Sequence, residues 1–516
     1  MDSQTLHLVK HQYNSIPFVD ILLPYTELFL AKLEKINASI ALINKLHKNL
    51  LQEMSSVAEV TLQEELNHFK NSGQNSYPDF TESTYPSLAV KYPVLDKMLT
   101  IIADNYSVHI QNIFSNFSKD IDLIVKTFSI KNNSTIKDID TSLGDGHNGE
   151  STALVILSDG TKLIYKPRNL DISVSYNLFI DWVNCRLDTN LKTLKCINFE
   201  KYGWLEFINH TPVNSDAELK EYYYKSGILL AVTLLLGTKD CHCENVIASG
   251  SDPVIIDHET IIQPVLLDQP SIRTWDEQHK IPKFSVLESM LIANQDTGAT
   301  LQYAGYGIKG NTETMDLEMK VINPNTIDSK RDTRFVFRKL IKENMPVYNH
   351  KPIFVNDYKE SFLQGFSTAY DMFITVKEEL LSSASPVNFF DNQKIRYVWR
   401  PTFVYFRILK YMRGASFMAS FEAYTSKLYE LMSKAYQKEG FKKLKFILDS
   451  EMEQMIKGDI PFFNLNSLDS HLEENAAFKI FEYNCVENIK QRINILSEKH
   501  KDEQIGYILK WLSIKS

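Results

Sequence analysis

Ile228–Leu236 is the longest apolar stretch of the chain, and it closes a strongly apolar segment, Leu219–Leu236, that stops at Gly237. This pattern predicts a helix ended by a glycine, the residue that most easily takes the left-handed turn at a helix C-terminus. The apolar run falls far short of the roughly 20 residues that span a bilayer. The residues beyond the helix stop constrain the chain further. A polar loop, GTKDCHCEN (Gly237–Asn245), is succeeded by a short buried strand, PVII (Pro253–Ile256), closed by Asp257.

The elements before this helix read clearly. Thr152–Leu157 and Lys162–Tyr165 are short β-prone runs, and Ser158–Asp159–Gly160–Thr161 between them has hairpin chemistry. The second run ends in Lys166. Leu170–Asn184 returns to helical spacing, and Tyr202–Asn209 is again strand-like. Upstream, residues 1 to 130 read as helical, because Leu22, Leu23, Leu28, Phe29, Leu33, Ile36, Ile43, Leu46 and Leu50 recur at three- and four-residue steps. Lys131–Lys137 is polar and suits a linker. Residues 270–390 are mixed. From Phe403 onward the chain is mostly helical, interrupted at Gly458–Pro461.

The order of these elements carries chemistry. Phosphoryl transfer needs a carboxylate to orient or deprotonate the acceptor hydroxyl, a lysine on the nucleotide phosphates and metal ligands. Kinases place the orienting Asp five residues before a metal-binding Asn on one loop, and Asp240 and Asn245 are five apart. A second metal-binding Asp follows a short hairpin, and Asp257 lies seventeen residues after Asp240. Singly, each has a plain alternative: Lys166 as a solvated strand end, Asp240 as a polar turn residue, Asp257 as a cap and His242 as a loop histidine. In this fixed order, the functional reading outweighs those alternatives.

Gly144–Gly149 (GDGHNG) stands where a kinase carries its phosphate-covering loop. It lacks the Gly-Lys-Ser/Thr ending of a Walker A motif and is not GxGxxG. A glycine-rich turn is the simple alternative. Asp145 and His147, however, set a carboxylate beside an imidazole in a flexible loop, a pair suited to proton chemistry that a plain kinase does not require.

Composition excludes several classes. Over 516 residues the net charge is −8, with Lys and Arg scattered, so no nucleic-acid footprint is present. Five cysteines are too few and too irregular for a disulfide scaffold, and Cys241 and Cys243 lack a second pair to complete a zinc site. No signal peptide or transmembrane segment is expected, so the default location is cytoplasmic.

Three blocks, GDGHNGESTALVILSDGTKLIYKPRNL, GTKDCHCENVIASGSDPVIIDHET and RYVWRPTFVY, together resemble the dehydratase region of class II lanthipeptide synthetases, the LanM family; GDIPFF at 458–463 is a weaker match. The resemblance implies a protein/lipid-kinase-like core that phosphorylates Ser and Thr of a precursor peptide with ATP. It then eliminates phosphate to leave dehydroalanine or dehydrobutyrine. It implies Lys166 on the nucleotide phosphates, Asp240 and His242 at the acceptor, and Asn245 and Asp257 on Mg2+. Asp145 and His147 would support the reaction, and Arg396 and Thr402 would act in elimination. A guanidinium and a hydroxyl on departing phosphate oxygens lower that barrier; without the resemblance, the arginines of this segment would read as partners of acidic neighbours at a helix start. Full family members continue into a zinc-dependent cyclase. This chain ends at Ser516 without such a site, which suggests a stand-alone dehydratase or half of something longer, with a separate cyclase as a further partner. The glutamate that pairs with the lysine in ordinary kinases has no clear counterpart: the helix after Lys166 offers Asp181, and Glu206 follows on the next strand.

The expected fold is α+β, a kinase-like two-lobed core at 136–400 between helical regions at 1–135 and 401–516. Two rivals stand beside the dehydratase: a kinase-like phosphotransferase without elimination, and a kinase-like scaffold that binds peptide without chemistry.

Overall fold

A computed structural model describes residues 13–33, 36, 38–147, 149–267, 276, 279–294, 303–307, 313–339, 343–437 and 439–513. The first twelve residues, which the signal-peptide reading concerns, lie outside them. The chain divides into two compact units, one of residues 1–167, 315–338 and 398–462, the other of residues 168–314, 339–397 and 463–516. Among the described residues, no helix is long and apolar enough to cross a membrane.

The first unit is built on long helices. In Ile40–Asn71 the buried positions Leu42, Leu46, Leu50, Met54, Ala58, Leu62 and Leu66 recur every four residues, forming one apolar stripe. Ser39 caps its start by accepting a hydrogen bond from Leu42 N at 3.2 Å. Pro93–Phe128 begins with a proline at its first position, where no backbone donor is needed, and packs against it. Three antiparallel strands follow, Ile136–His147, Glu150–Leu157 and Lys162–Lys166, registered through Ile139↔Val155 and Val155↔Leu163. Gly160 turns the second hairpin with φ +90°. Alternate burial of Ala153, Val155 and Leu157 gives the sheet its inner face, and both long helices contact this sheet. Lys45 reaches Asp138 at 2.6 Å, and Asn116 donates to the Tyr165 hydroxyl at 2.9 Å. A two-stranded ribbon, Glu313–Ile322 with Lys330–Lys339, belongs to this unit over residues 315–338. It is tied to the first long helix by a hydrogen bond from Gln63 Nε2 to Ser329 O (2.9 Å).

In the second unit the helix Asp216–Leu236 is buried along almost all of its length. A helix apolar on every side must be enclosed, and Lys359–Thr375 lies closely along it. Glycines permit the approach: a Cβ on Gly227 would stand 2.0 Å from Phe362 O, and one on Gly365 1.9 Å from Tyr224 O. Around the pair lie the helix Asp171–Leu187 and two hairpins, Cys196–Asn198 with Gly203–Glu206 and Val246–Ser249 with Asp252–Ile255. Two further antiparallel pairs join distant segments: Val265–Leu266 with Phe481–Tyr483, and Lys394–Tyr397 with Phe463–Asn466. The helix Cys485–Ile495 starts in a capping box made by Asn484 and Glu487.

Candidate active site

The Asp216–Leu236 helix delivers the polar loop. Gly237, at φ +71°, ends it, and a Cβ there would stand 2.6 Å from Asn488 Nδ2. Buried Arg492 takes up a terminal carbonyl, donating NH1 to Leu234 O (3.0 Å) while its NH2 binds Glu288 (2.6 Å). The next residues are pinned in turn. Thr238 Oγ1 donates to Ile261 O (2.6 Å), Lys239 N to Thr260 O (3.1 Å), and Thr260 Oγ1 back to Lys239 O (2.6 Å). Cys241 N and Cys243 N donate to Ser289 O and Tyr303 O at 2.8 and 2.9 Å.

Between these anchors Asp240 adopts φ +64°. A non-glycine residue in the left-handed region is strained by about 1 kcal/mol or more, a feature common at functional sites. Asn245 stabilises this turn, donating Nδ2 to Asp240 O at 2.8 Å and N to His242 O at 2.9 Å. His242 Nδ1 accepts from Glu244 N (3.2 Å), and its Nε2 lies 3.4 Å from Asn245 Nδ2 and 3.8 Å from Asp240 Oδ1.

The seventeen-residue spacing to Asp257 is explained by the hairpin. Val246 pairs with Ile255, and Ile256 N donates to Asn245 O (3.0 Å), so Asn245 and Asp257 lie at the same open end. The resulting charge density is felt by Asp240. Burial pushes its carboxyl above the usual aspartate range, Asp257 and Glu259 add to the rise, and His242 and Arg396 oppose it.

Arg396 enters this unit on the strand Lys394–Tyr397, opposite Asn464. Gln263 Nε2 holds its carbonyl at 2.9 Å. Its NH1 lies 3.3 Å from Glu259 Oε2, and the same oxygen is 2.7 Å from Arg168 NH1. Arg168 and Glu259 have no role in the motif reading, although both lie within the quoted blocks, in KPRNL and DHET. Glu206, the strand candidate for a lysine partner, binds Lys192 Nζ at 2.9 Å and accepts from Lys195 N at 2.9 Å.

The remaining sequence candidates belong to the first unit. Lys166 is buried at the end of its strand. GDGHNG corrects one expectation: up to His147 it is not a flexible loop but the end of the strand Ile136–His147, with register shifts on either side of Leu143. Asp145 lies in that strand, and its side chain is outside those described. His147 is buried, with Nδ1 2.9 Å from Ile460 O and its ring centroid 4.9 Å from that of Phe462. Gly149 N donates to Asp459 Oδ1 at 3.3 Å. GDGHNG and GDIPFF, more than 300 positions apart, are therefore one local structure. Thr402 is the first residue of the helix Thr402–Tyr411. Arg400 follows the plain reading of an arginine paired with an acid. Its Nε and NH2 bind Glu451 at 2.6 and 3.0 Å, and the Tyr405 and Tyr436 hydroxyls donate to the same carboxylate.

Residues 92–466 match the family described as a domain of unknown function, DUF4135, and the chain belongs to that family. The matched span includes all nine residues assigned from the motifs. The chain is also 27% identical over 484 residues to the lacticin 481/lactococcin biosynthesis protein LcnDR2 of Lactococcus lactis subsp. lactis, an alignment covering 87% of this chain and 50% of that protein. It thus spans about half the length of the curated relative it matches. These matches bear out the likeness to the LanM dehydratase region that the motifs carry.

Proposed function

We propose that this chain acts in lanthipeptide biosynthesis as a kinase-like dehydratase, phosphorylating Ser and Thr of a precursor peptide with ATP and then eliminating phosphate. The observation that carries this reading is the convergence of Asp240, His242, Asn245, Asp257 and Arg396 in one unit, with Asp240 in a strained turn and perturbed by its charged neighbours.

The donor set fits a hard cation. Asn245 commits its amide nitrogen to Asp240 O, so its oxygen is the end suited to an ion, and Asp257 adds a carboxylate; Mg2+ is commonly held by so few protein oxygens together with phosphate and water. When bound, that ion neutralises phosphate charge. Asp240 orients the peptide hydroxyl and receives its proton as the oxygen bonds to the γ-phosphorus and ADP departs. His242 supports that carboxylate, and Lys166 holds nucleotide phosphates. In the second step the α-proton is abstracted and the Cβ–O bond breaks. A carbon–carbon double bond forms, and inorganic phosphate leaves with the bonding pair. Arg396 and Thr402 stabilise the leaving oxygens; His147 and Asp145 support the proton transfers.

The test incubates the protein with the precursor peptide encoded beside its gene, ATP and Mg2+, and reads peptide mass. Loss of one water per modified residue supports the dehydratase. A persistent gain of phosphate would reduce it to a kinase, and binding without mass change would reduce it to a scaffold. Arg396→Ala and Thr402→Ala are expected to accumulate phosphopeptide; an Arg396 variant that dehydrates normally would overturn its assignment.

A further inference from the structure

We infer that Asp459 is a positioning residue for His147, and that the segment it opens, residues 459–462, fixes that histidine with its proton on Nδ1 and with Nε2 as the basic nitrogen. This rests on the proposed dehydratase reading, in which His147 supports proton transfer. It gives the GDIPFF segment a part that the motif assignments do not name.

Ile460 O is a carbonyl and can only accept, so its 2.9 Å contact with His147 Nδ1 is a hydrogen bond donated by the ring. In a neutral imidazole the other nitrogen, Nε2, then carries the lone pair. Histidines that move protons are commonly oriented this way, by an acceptor on the nitrogen that does not react. Phe462 restrains the same ring from its side, with centroids 4.9 Å apart and planes at 55°. The bond joins residues 313 positions apart, so no local turn requires it.

The acceptor is itself held in place. Gln454, in the helix Lys445–Ile456, accepts from Phe462 N through Oε1 (2.8 Å) and donates Nε2 to Phe462 O (3.2 Å). Asp459 N donates to Gln454 O (3.2 Å), and Gly458 makes the turn at φ +87°. The segment is thus tied to one helix end at its first and last residues. From this base the Asp459 carboxylate reaches the strand end that carries His147, accepting from Gly149 N at 3.3 Å. Burial pushes that carboxyl up, while Gly149 N and Lys457 draw it back down. On the other side of the turn stands the helix Pro93–Phe128, where a Cβ on Gly149 would lie 2.2 Å from Asn105 Cγ. The turn two residues after His147 is therefore gripped between Asn105 and Asp459, and the ring keeps its reach to Ile460 O.

Two readouts on the full chain test this role. In 15N–1H spectra of the histidine rings, with His147 assigned by the signals lost in His147→Gln, wild type is expected to show the Nδ1-protonated tautomer. Asp459→Ala should give a mixture of tautomers. Asp459→Asn, whose amide oxygen still accepts from Gly149 N, should keep the wild-type pattern. The second readout is the ratio of phosphopeptide to dehydrated peptide in the peptide-mass assay, because that ratio does not depend on how much enzyme is folded. Asp459→Ala should raise it about ten-fold, as the loss of one positioning hydrogen bond allows, and Asp459→Asn should restore it. Added to His147→Gln, Asp459→Ala should change the ratio little, since both act through one ring. A merely structural role would lower the thermal midpoint and move neither tautomer nor ratio. Should Asp459→Ala fail to fold, Asp459→Ser, too short to reach Gly149 N, takes its place with the same expectation. A wild-type His147 protonated on Nε2, or a wild-type tautomer in the Ala and Ser variants, would overturn the assignment. Wild type that dehydrates, with a ratio blind to loss of the Asp459 carboxylate, refutes the positioning role alone. Wild type that never modifies peptide, while its His147 tautomer follows Asp459, refutes the dehydratase alone.

Discussion

The helix crossing that carries the candidate loop gives the sharpest stability prediction, because one substitution should have opposite signs at two places in the same unit. Replacing Gly365 by Ala raises intrinsic helix propensity by about 1 kcal/mol. The new Cβ, however, would stand 1.9 Å from Tyr224 O, where ordinary contact begins at 3.4 Å. The carbonyl lies within the Asp216–Leu236 helix and cannot rotate aside, so the two helices must separate by more than an ångström. Overpacking of this kind costs about 1–3 kcal/mol, and more when backbone must move. The steric term wins, and a net loss of about 2–3 kcal/mol is expected. Gly506→Ala, inside the helix Glu498–Leu512 with nothing within 4 Å of its added methyl, should instead gain about 0.5–1 kcal/mol. Denaturant unfolding followed by circular dichroism, and by fluorescence that includes Trp204, buried in this unit, measures both. A Gly365→Ala midpoint at or above wild type would mean that the helix crossing accommodates the methyl and that the steric cost is absent.

Other perturbations test separate parts of the structure. Arg400→Met leaves Glu451 buried with only its tyrosine donors and should destabilise the first unit by about 3 kcal/mol, whereas the double variant with Glu451→Met should recover most of the loss in a denaturation series. Burial depresses His47 and His109 to about 4, so both must stay neutral in the folded state. Their stabilising contribution is present above about pH 6.5 and is lost as pH falls through about 4, at most about 3 kcal/mol each. His47→Gln should flatten that acid limb in thermal scans; an unchanged limb would exclude His47 as its source. Asp257→Ala should leave precursor peptide with neither added phosphate nor lost water by mass spectrometry, and phosphopeptide from this variant would remove Asp257 from the metal assignment.

Features encoded within a few residues are legible in the amino-acid order. Helical spacing announced the N-terminal helices and Asp216–Leu236, whose stop at Gly237 has the left-handed backbone expected of it. Asp159–Gly160 announced the turn that brings Lys166 to a strand end, and the hairpin after Asn245 brought Asp257 back to it. These are local consequences of propensity, turn chemistry and pleat. Other segments carry no such signal. The ribbon of Glu313–Ile322 and Lys330–Lys339 leaves Met315, Leu317, Phe335 and Phe337 exposed, so its apolar alternation does not mark a core face, and residues 270–390 have no readable pattern. Which distant segments meet is set by the folded path of the backbone. Glu259 sits between Arg168 and Arg396, Glu451 closes on Arg400, and Asp459 and Ile460 meet the end of GDGHNG. The physical reason is common to all three. A charge or a carbonyl names no partner along the chain, and the path of the backbone selects which of many eligible groups comes within hydrogen-bonding reach.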